Sequence, residues 1–205
     1  LDQLQILERS SEPESCLRYQ MELLPRDTSH FQNLTGLYIN SNNWKKIPAE
    51  TDTLSYLERL TLSNNSPPEM GALQRLHSLH LANNSLTELP VPLCQLRSLT
   101  FPDMSNSRIG TIPSSIQHLE KLETQLLLFN LLESLPENVC LSKNLHMLWL
   151  GNNHLWTLPA SFGDQVNLDW GYSYCSCIFE GNPLESSPPE VCSRGPELIR
   201  DYFLS

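Results

Sequence analysis

The side chains of this sequence best able to do chemistry are six cysteines, six histidines and 23 acidic residues. Their spacing argues against most reactions. His77 and His80 are three apart in a stretch that reads as a strand, so their rings fall on opposite faces and cannot share a metal ion. Cys175 and Cys177, with Cys192 beyond them, are the nearest approach to a zinc set. Strand residues two apart rarely close a tetrahedral site, so no metal is expected. No Ser-His-Asp motif, phosphate-cradling glycine loop or paired-carboxylate motif stands out in the linear order. His80 and Asp103 are a candidate pair for a hydrogen bond that confers specificity, rather than for acid–base chemistry. The chain is therefore expected to need no cofactor and not to be an enzyme.

The elements that position these residues are punctuated by proline. Pro25, Pro48, Pro67, Pro90, Pro113, Pro136, Pro159 and Pro188 follow one another at intervals of 23, 19, 23, 23, 23, 23 and 29 residues. A fixed period of this size means a stack of small units. The clearest unit, PENVCLSKNLHMLWLGNNHLWTLP, places Leu145, Leu148, Leu150, Asn153, Leu155 and Leu158 in the frame L-x-x-L-x-L-x-x-N-x-L-x-x-L-P. Leu34, Leu37, Ile39, Asn42, Trp44 and Ile47 fit the same frame, as do Leu76, Leu79, Leu81, Asn84, Leu86 and Leu89.

An L-x-L pair reads as a short strand with both leucines on one face. A single unit cannot bury that face alone, so neighbouring strands must pair in parallel and share an interior. The asparagine then sits where the chain turns, and its amide can satisfy backbone donors and acceptors left open there. The expected ladder is Asn42, Asn65, Asn84, Ser107, Asn130, Asn153 and Asn182, with Ser107 keeping only part of the bonding capacity. The threefold spacing of Pro113, Ile116, Leu119 and Leu122 suits a short helical or 3-10 turn on the return path.

With these motifs in view, the chain resembles a leucine-rich repeat protein over roughly residues 25–204. The 23-residue form is similar to the intracellular class that includes scribble, erbin and the Ras-binding scaffold proteins. GNPLESSPPEVCSRGPELIRDYF is similar to the terminal repeat and capping helix of that class. Leu198, Ile199, Tyr202 and Phe203 are spaced as a covering helix needs. The expected fold class is α/β: a leucine-rich repeat solenoid, or horseshoe, with a concave parallel sheet, convex short helical or 3-10 turns and a C-terminal capping helix. Residues 1–33 would form a degenerate N-terminal repeat or cap, 34–190 the repeats and 191–205 the capping helix.

Several places depart from the frame. Leu1, Leu4 and Ile6 look like one more strand, with residues 7–24 irregular after it. Four residues are missing between Asn65 and Pro67, and six extra fall in DWGYSYCSC at 169–177. Pro102 takes a strand leucine position and cannot donate to the ladder. Gln125 takes the same position one repeat later. A one-residue slip there would turn Leu126 and Leu128 inward.

The residues between the strand leucines point away from the core and line the concave surface. The candidate partner-binding set drawn from this face is Tyr38, Arg59, His80, Phe101, Asp103, Leu126, Leu128, Met147, Trp149 and Ile178. Its C-terminal half is apolar, which marks an interaction surface, and Trp149 is the leading anchor. The resemblance implies a scaffold or adaptor in signal transduction that binds another protein through this face. The fold alone does not choose among Ras-pathway, phosphatase-complex and polarity roles.

A net charge of −10 argues against nucleic acid or an anionic membrane as partner. No apolar run approaches a membrane span. A monomeric, cytoplasmic solenoid with six reduced cysteines is expected. Cys94, Cys140 and Cys192 each stand four residues after a phase proline, as small buried thiols would. The rival is a secreted or cell-surface ectodomain of the same fold, suggested by the even cysteine count and the sequons at Asn33, Asn64 and Asn83.

Overall fold

The computed structural model describes residues 4–8, 31–40, 53–63, 72–169, 179–185, 191 and 195–204. Seven three-residue strands form one parallel sheet in sequence order: β1 Ile6–Glu8, β2 Gly36–Tyr38, β3 Arg59–Thr61, β4 Ser78–His80, β5 Phe101–Asp103, β6 Thr124–Leu126 and β7 Met147–Trp149. The strand leucines meet in register, with Leu37 opposite Leu60 and Leu60 opposite Leu79. All of them are buried, together with Ile39, Leu62, Leu81 and Leu150. The interior is thus a continuous column filled by every repeat, as stacking requires.

Prolines start the return path. The 3-10 turns Val91–Gln95, Ser114–His118, Glu137–Leu141 and Ala160–Asp164 begin directly after Pro90, Pro113, Pro136 and Pro159. Proline lacks the N–H that a first turn leaves unused and holds φ near the value the turn needs. Its carbonyl accepts from the third residue onward, as in Leu93 N–H to Pro90 O at 3.0 Å and Val139 N–H to Pro136 O at 3.0 Å. Helix α1, Pro196–Leu204, packs on the last of these turns. Only one stripe of α1 faces inward. Ile199 is buried and Phe203 partly so, whereas Leu198 and Tyr202, expected to help cover the last repeat, are exposed.

The first strand starts three residues later than the sequence frame puts it. Leu7, not Leu4, lies opposite Leu37, and Ile6 is turned outward. Leu4 takes the place before the strand that Leu34 occupies one repeat on. Pro102 is accommodated opposite Leu79, but pairing between β5 and β6 narrows to Asp103 with Leu126. The missing proline N–H is the physical reason. Gln125 causes no slip: it lies opposite Leu148 and points inward, so Leu126 and Leu128 keep their outward faces.

The asparagine ladder crosslinks neighbouring repeats. Asn130 Oδ1 accepts the Ile109 N–H at 3.0 Å, and its Nδ2 donates to the Met104 and Leu127 carbonyls. Asn153 does the same to Leu132, Leu127 and Leu150, and Asn182 to Leu155, Leu150 and Phe179. Asn84 donates to Leu62 and Leu81. At Ser107 the ladder breaks, because the hydroxyl is buried with no hydrogen-bond partner. Ser107→Asn should restore it by reaching the Leu86 N–H, the counterpart of Ile109 and Leu132. The expected gain is about 1 kcal/mol, read as a higher urea midpoint with an unchanged slope. A lower midpoint would mean that the turn has set around the smaller side chain. The ladder positions Asn42 and Asn65, and the irregular stretches at 9–24, 65–67 and 170–177, lie outside the described residues.

Candidate functional site

The outward residues of the strands form three columns across the concave face. Tyr38, Thr61, His80, Asp103, Leu126 and Trp149 are half-buried in the middle column, between buried neighbours on either side. Arg59 and Met147 are more exposed in the preceding column, Met147 at 38 %, with Phe101 half-buried between them. Leu128 is half-buried in the following column. Leu126 lies opposite Trp149 and Thr124 opposite Met147, so the apolar members fall on adjacent strands. Tyr38 and Arg59 stand toward the other end of the sheet, on β2 and β3. Ile178 lies outside the described residues.

The polar part of the face is more organised than the linear order suggests. His80 and Asp103 are register partners on β4 and β5. Asp103 Oδ2 lies 3.9 Å from His80 Nδ1, and Ser78 Oγ lies 3.0 Å from His80 Nε2. The His80 ring rests against Phe101 with centroids 5.2 Å apart. The fold therefore assembles a Ser-His-Asp row that no sequence motif announces. The His80–Asp103 pair was legible in the sequence, and only the structure adds Ser78 to it.

A nucleophilic role for Ser78 would also need amide donors converging on one developing oxyanion. The nearby amides are committed: Thr100 and Phe101 N–H donate to the His77 carbonyl, and Leu81 N–H to the Asp103 carbonyl. The row is suited to orienting an imidazole for recognition. Among the described residues, no group of three His, Cys, Asp or Glu side chains could hold a metal ion.

Burial pushes the Asp103 carboxyl up, but the neighbouring His80 ring and the hydrogen bond from the Ser105 N–H outweigh it and hold the group below its ordinary value. A folded-state pKa that is depressed adds stability above the unfolded value of about 3.9. That stability is lost as pH falls through the folded value. Asp103→Asn should therefore flatten the acid limb of a stability-versus-pH curve below about pH 4, where the wild type falls. An unaltered limb would assign the acid loss to other carboxylates. Burial likewise raises the Cys94 thiol, and raises Cys140 to about 11. Both are free thiols, protonated at neutral pH, whereas Cys175, Cys177 and Cys192 lie outside the described residues.

One residue of this surface escaped the sequence reading. Asn83, Asn106, Phe129 and Asn152 occupy the same left-handed position in four successive repeats, with φ between 54 and 59°. Asparagine tolerates that conformation and phenylalanine does so poorly. Phe129 is nonetheless there, 53 % exposed, beside Leu128 and near the exposed Leu131. Aligning the residue before each ladder position would have found it, since Phe129 is the exception in a column of asparagines.

The sequence profile of the Leucine Rich Repeat family matches residues 75–96, which hold β4 and the whole 3-10 turn after it. The chain is a leucine-rich repeat protein. A leucine-rich repeat protein of Leptospira interrogans superposes with a TM-score of 0.69 at 33 % identity, over 73 % of this chain and 39 % of that one. The plant peptide hormone receptor RGFR1, solved in complex with RGF2, superposes with a TM-score of 0.62 at 27 % identity, over 72 % of this chain and 25 % of the receptor.

Among curated proteins, this leucine-rich repeat protein is 33 % identical over 98 residues to a probable inactive serine/threonine-protein kinase, roco10, of Dictyostelium discoideum. It is 35 % identical over 105 residues to the human oligodendrocyte-myelin glycoprotein. These matches cover 44 % and 48 % of the chain, but only 4 % and 23 % of the relatives' own lengths. Leucine-rich repeat proteins are in general binding modules rather than enzymes, and the chain spans only a small part of these relatives.

Proposed function

We propose that this leucine-rich repeat protein is a binding scaffold that captures another protein on its concave face, in the cytoplasm. The observation that carries the reading is the apolar display of Phe101, Leu126, Leu128, Met147 and Trp149 on a sheet whose inner face is already filled by leucine. These side chains stand half-buried or exposed on the outward face of the sheet. Covering a few hundred Å² of such surface contributes several kcal/mol before association costs, at about 25 cal/mol per Å². Trp149 and Met147 offer the anchors, and the Ser78-His80-Asp103 row offers directional bonds beside them. The free thiols Cys94 and Cys140 and the resemblance to the intracellular class support the cytoplasmic assignment.

Trp149→Glu combined with Met147→Glu should reduce partner recovery in proximity labelling at least tenfold, with an unchanged melting curve. Leu141→Glu, at an exposed position on the convex side, is the control and should leave recovery intact. Equal recovery by the concave variant would move the site elsewhere.

The rival ectodomain reading has its own observation. Asn33 and Asn83, each the acceptor of a sequon, are both exposed. Mass measurement before and after enzymatic removal of N-linked sugar, on protein from its native source, separates the two readings. No mass change together with full thiol labelling of the denatured chain supports the scaffold.

A further inference from the structure

The concave face carries its charge unevenly. On β5, β6 and β7, and at the positions just before and after them, stand Asp103, Glu123 and, in the matching places of the next repeat, Asp169 and Glu180. Among the described residues, no lysine or arginine occurs at these positions, and Arg59 stands two strands from β5, on β3. Glu123, Asp169 and Glu180 are exposed, whereas the Asp103 side chain is only 19 % exposed.

Asp103 Oδ1 accepts the Ser105 N–H at 3.1 Å, and Oδ2 faces His80 Nδ1 at 3.9 Å, beyond hydrogen-bond reach. A carboxylate offers about four acceptor sites, so capacity for another donor is left. Burial raises its pKa, but His80 and Ser105 hold it below the ordinary value, and the group is charged at neutral pH. A partner resting on Leu126, the register partner of Asp103, and on Trp149 beyond it would strip this carboxylate of its remaining water. Covering an ionised carboxylate that gains no compensating donor or charge is strongly unfavourable. A surface that fits the apolar anchors must therefore bring a cation to Asp103. Phe101, two residues before it on the same face, adds an aromatic ring of the kind an arginine or lysine side chain packs against.

We infer that the concave face, as the binding surface proposed above, takes a basic and apolar segment of its partner: an arginine or lysine side chain pairs with Asp103, and an apolar side chain about 10 Å away packs on Leu126, Met147 and Trp149. The separation follows from two strand spacings of about 4.8 Å. Glu123, Asp169 and Glu180 draw the same segment in from solvent. A partner with an acidic contact segment is rejected, because its carboxylates would meet Asp103 with no fixed cation of this face between them.

Random linear peptides displayed on phage and selected on the full chain should converge on sequences that join an arginine or lysine to an aromatic or aliphatic residue. One selected peptide and its form with the basic residue changed to glutamine, each measured by calorimetry against wild type and Asp103→Asn, make a double-mutant cycle. Either change alone should weaken binding about tenfold, and both together little more. Additive losses, selected peptides without a basic residue, or no selected peptide at all overturn the inference. Trp149→Glu tells two failures apart. Peptides that it releases but that ignore Asp103→Asn overturn the charge pairing and keep the concave site, whereas peptides indifferent to both place binding elsewhere. Should Asp103→Asn fail to melt cooperatively, a crystal structure of the wild-type complex decides. The peptide's guanidinium or ammonium is expected within about 4 Å of the Asp103 carboxylate, and any other position for it overturns the pairing.

Discussion

Asn153→Ala should cost about 3 kcal/mol, among the largest losses expected from a single polar truncation in the described residues. The amide is buried and ties two neighbouring repeats together through three hydrogen bonds. Its oxygen holds the Leu132 N–H at 3.1 Å, and its nitrogen donates to the Leu127 carbonyl at 2.9 Å and the Leu150 carbonyl at 2.8 Å. Alanine leaves a buried donor with no replacement and opens a space that water enters poorly. Asn153→Asp separates hydrogen bonding from size. A carboxylate still accepts from Leu132 but faces two carbonyl oxygens, so this variant should fall below alanine at neutral pH and recover in acid. Urea unfolding monitored by circular dichroism reads all three proteins. A loss under 1 kcal/mol for alanine would show that the neighbouring turns do not depend on the ladder.

Gly163→Ala should undock helix α1 and cost about 2–3 kcal/mol, within the range for overpacking. A methyl group at Gly163 would lie 2.7 Å from the Arg200 backbone nitrogen and 2.8 Å from its Cα. Backbone cannot yield as a flexible side-chain tip does, so the helix itself must shift. Ile199, now 1 % exposed, would lose its burial, and the bond from Arg200 Nη2 to the Gly163 carbonyl would break. The exposed Asp164–Arg200 ion pair is too weak to retain the helix. In a cycle with Ile199→Ala, the two losses should be strongly non-additive, because each removes the same docked state. Additive losses would mean that the glycine acts locally and leaves the helix in place.

Much of this architecture was legible because proline, leucine and asparagine each have one physical task per repeat. Proline starts the turn, paired leucines fill the interior, and asparagine ties one turn to the next. The strands, the 3-10 turns and the ladder therefore follow from spacing. What escaped needs information from across the sheet. Ser78 joins the expected His80–Asp103 pair only through the ring orientation the structure shows. Phe129 is unusual only against the φ its three counterparts share. Gln125 reads alone as a strand defect, and only the structure places it beside Ser142 at one small cavity. The phase of β1 was misplaced because Leu1, Leu4 and Ile6 match the motif as well as Leu4 and Leu7 do. Pairing with β2 decides between them.

The sheet runs from β1 to β7 in the order of the sequence. No strand has to be threaded between two that already exist. During synthesis each repeat can dock on the finished repeat before it as soon as it leaves the ribosome, with chain closures only about one period long. The growing end always exposes one layer of leucines, which the next repeat covers. Helix α1 follows the turn Ala160–Asp164 in the chain, so that end of the stack stays open until α1 docks. A pause before α1 is made would leave the interior at Phe162 uncovered, and that end is where chaperones would be expected to bind the nascent chain.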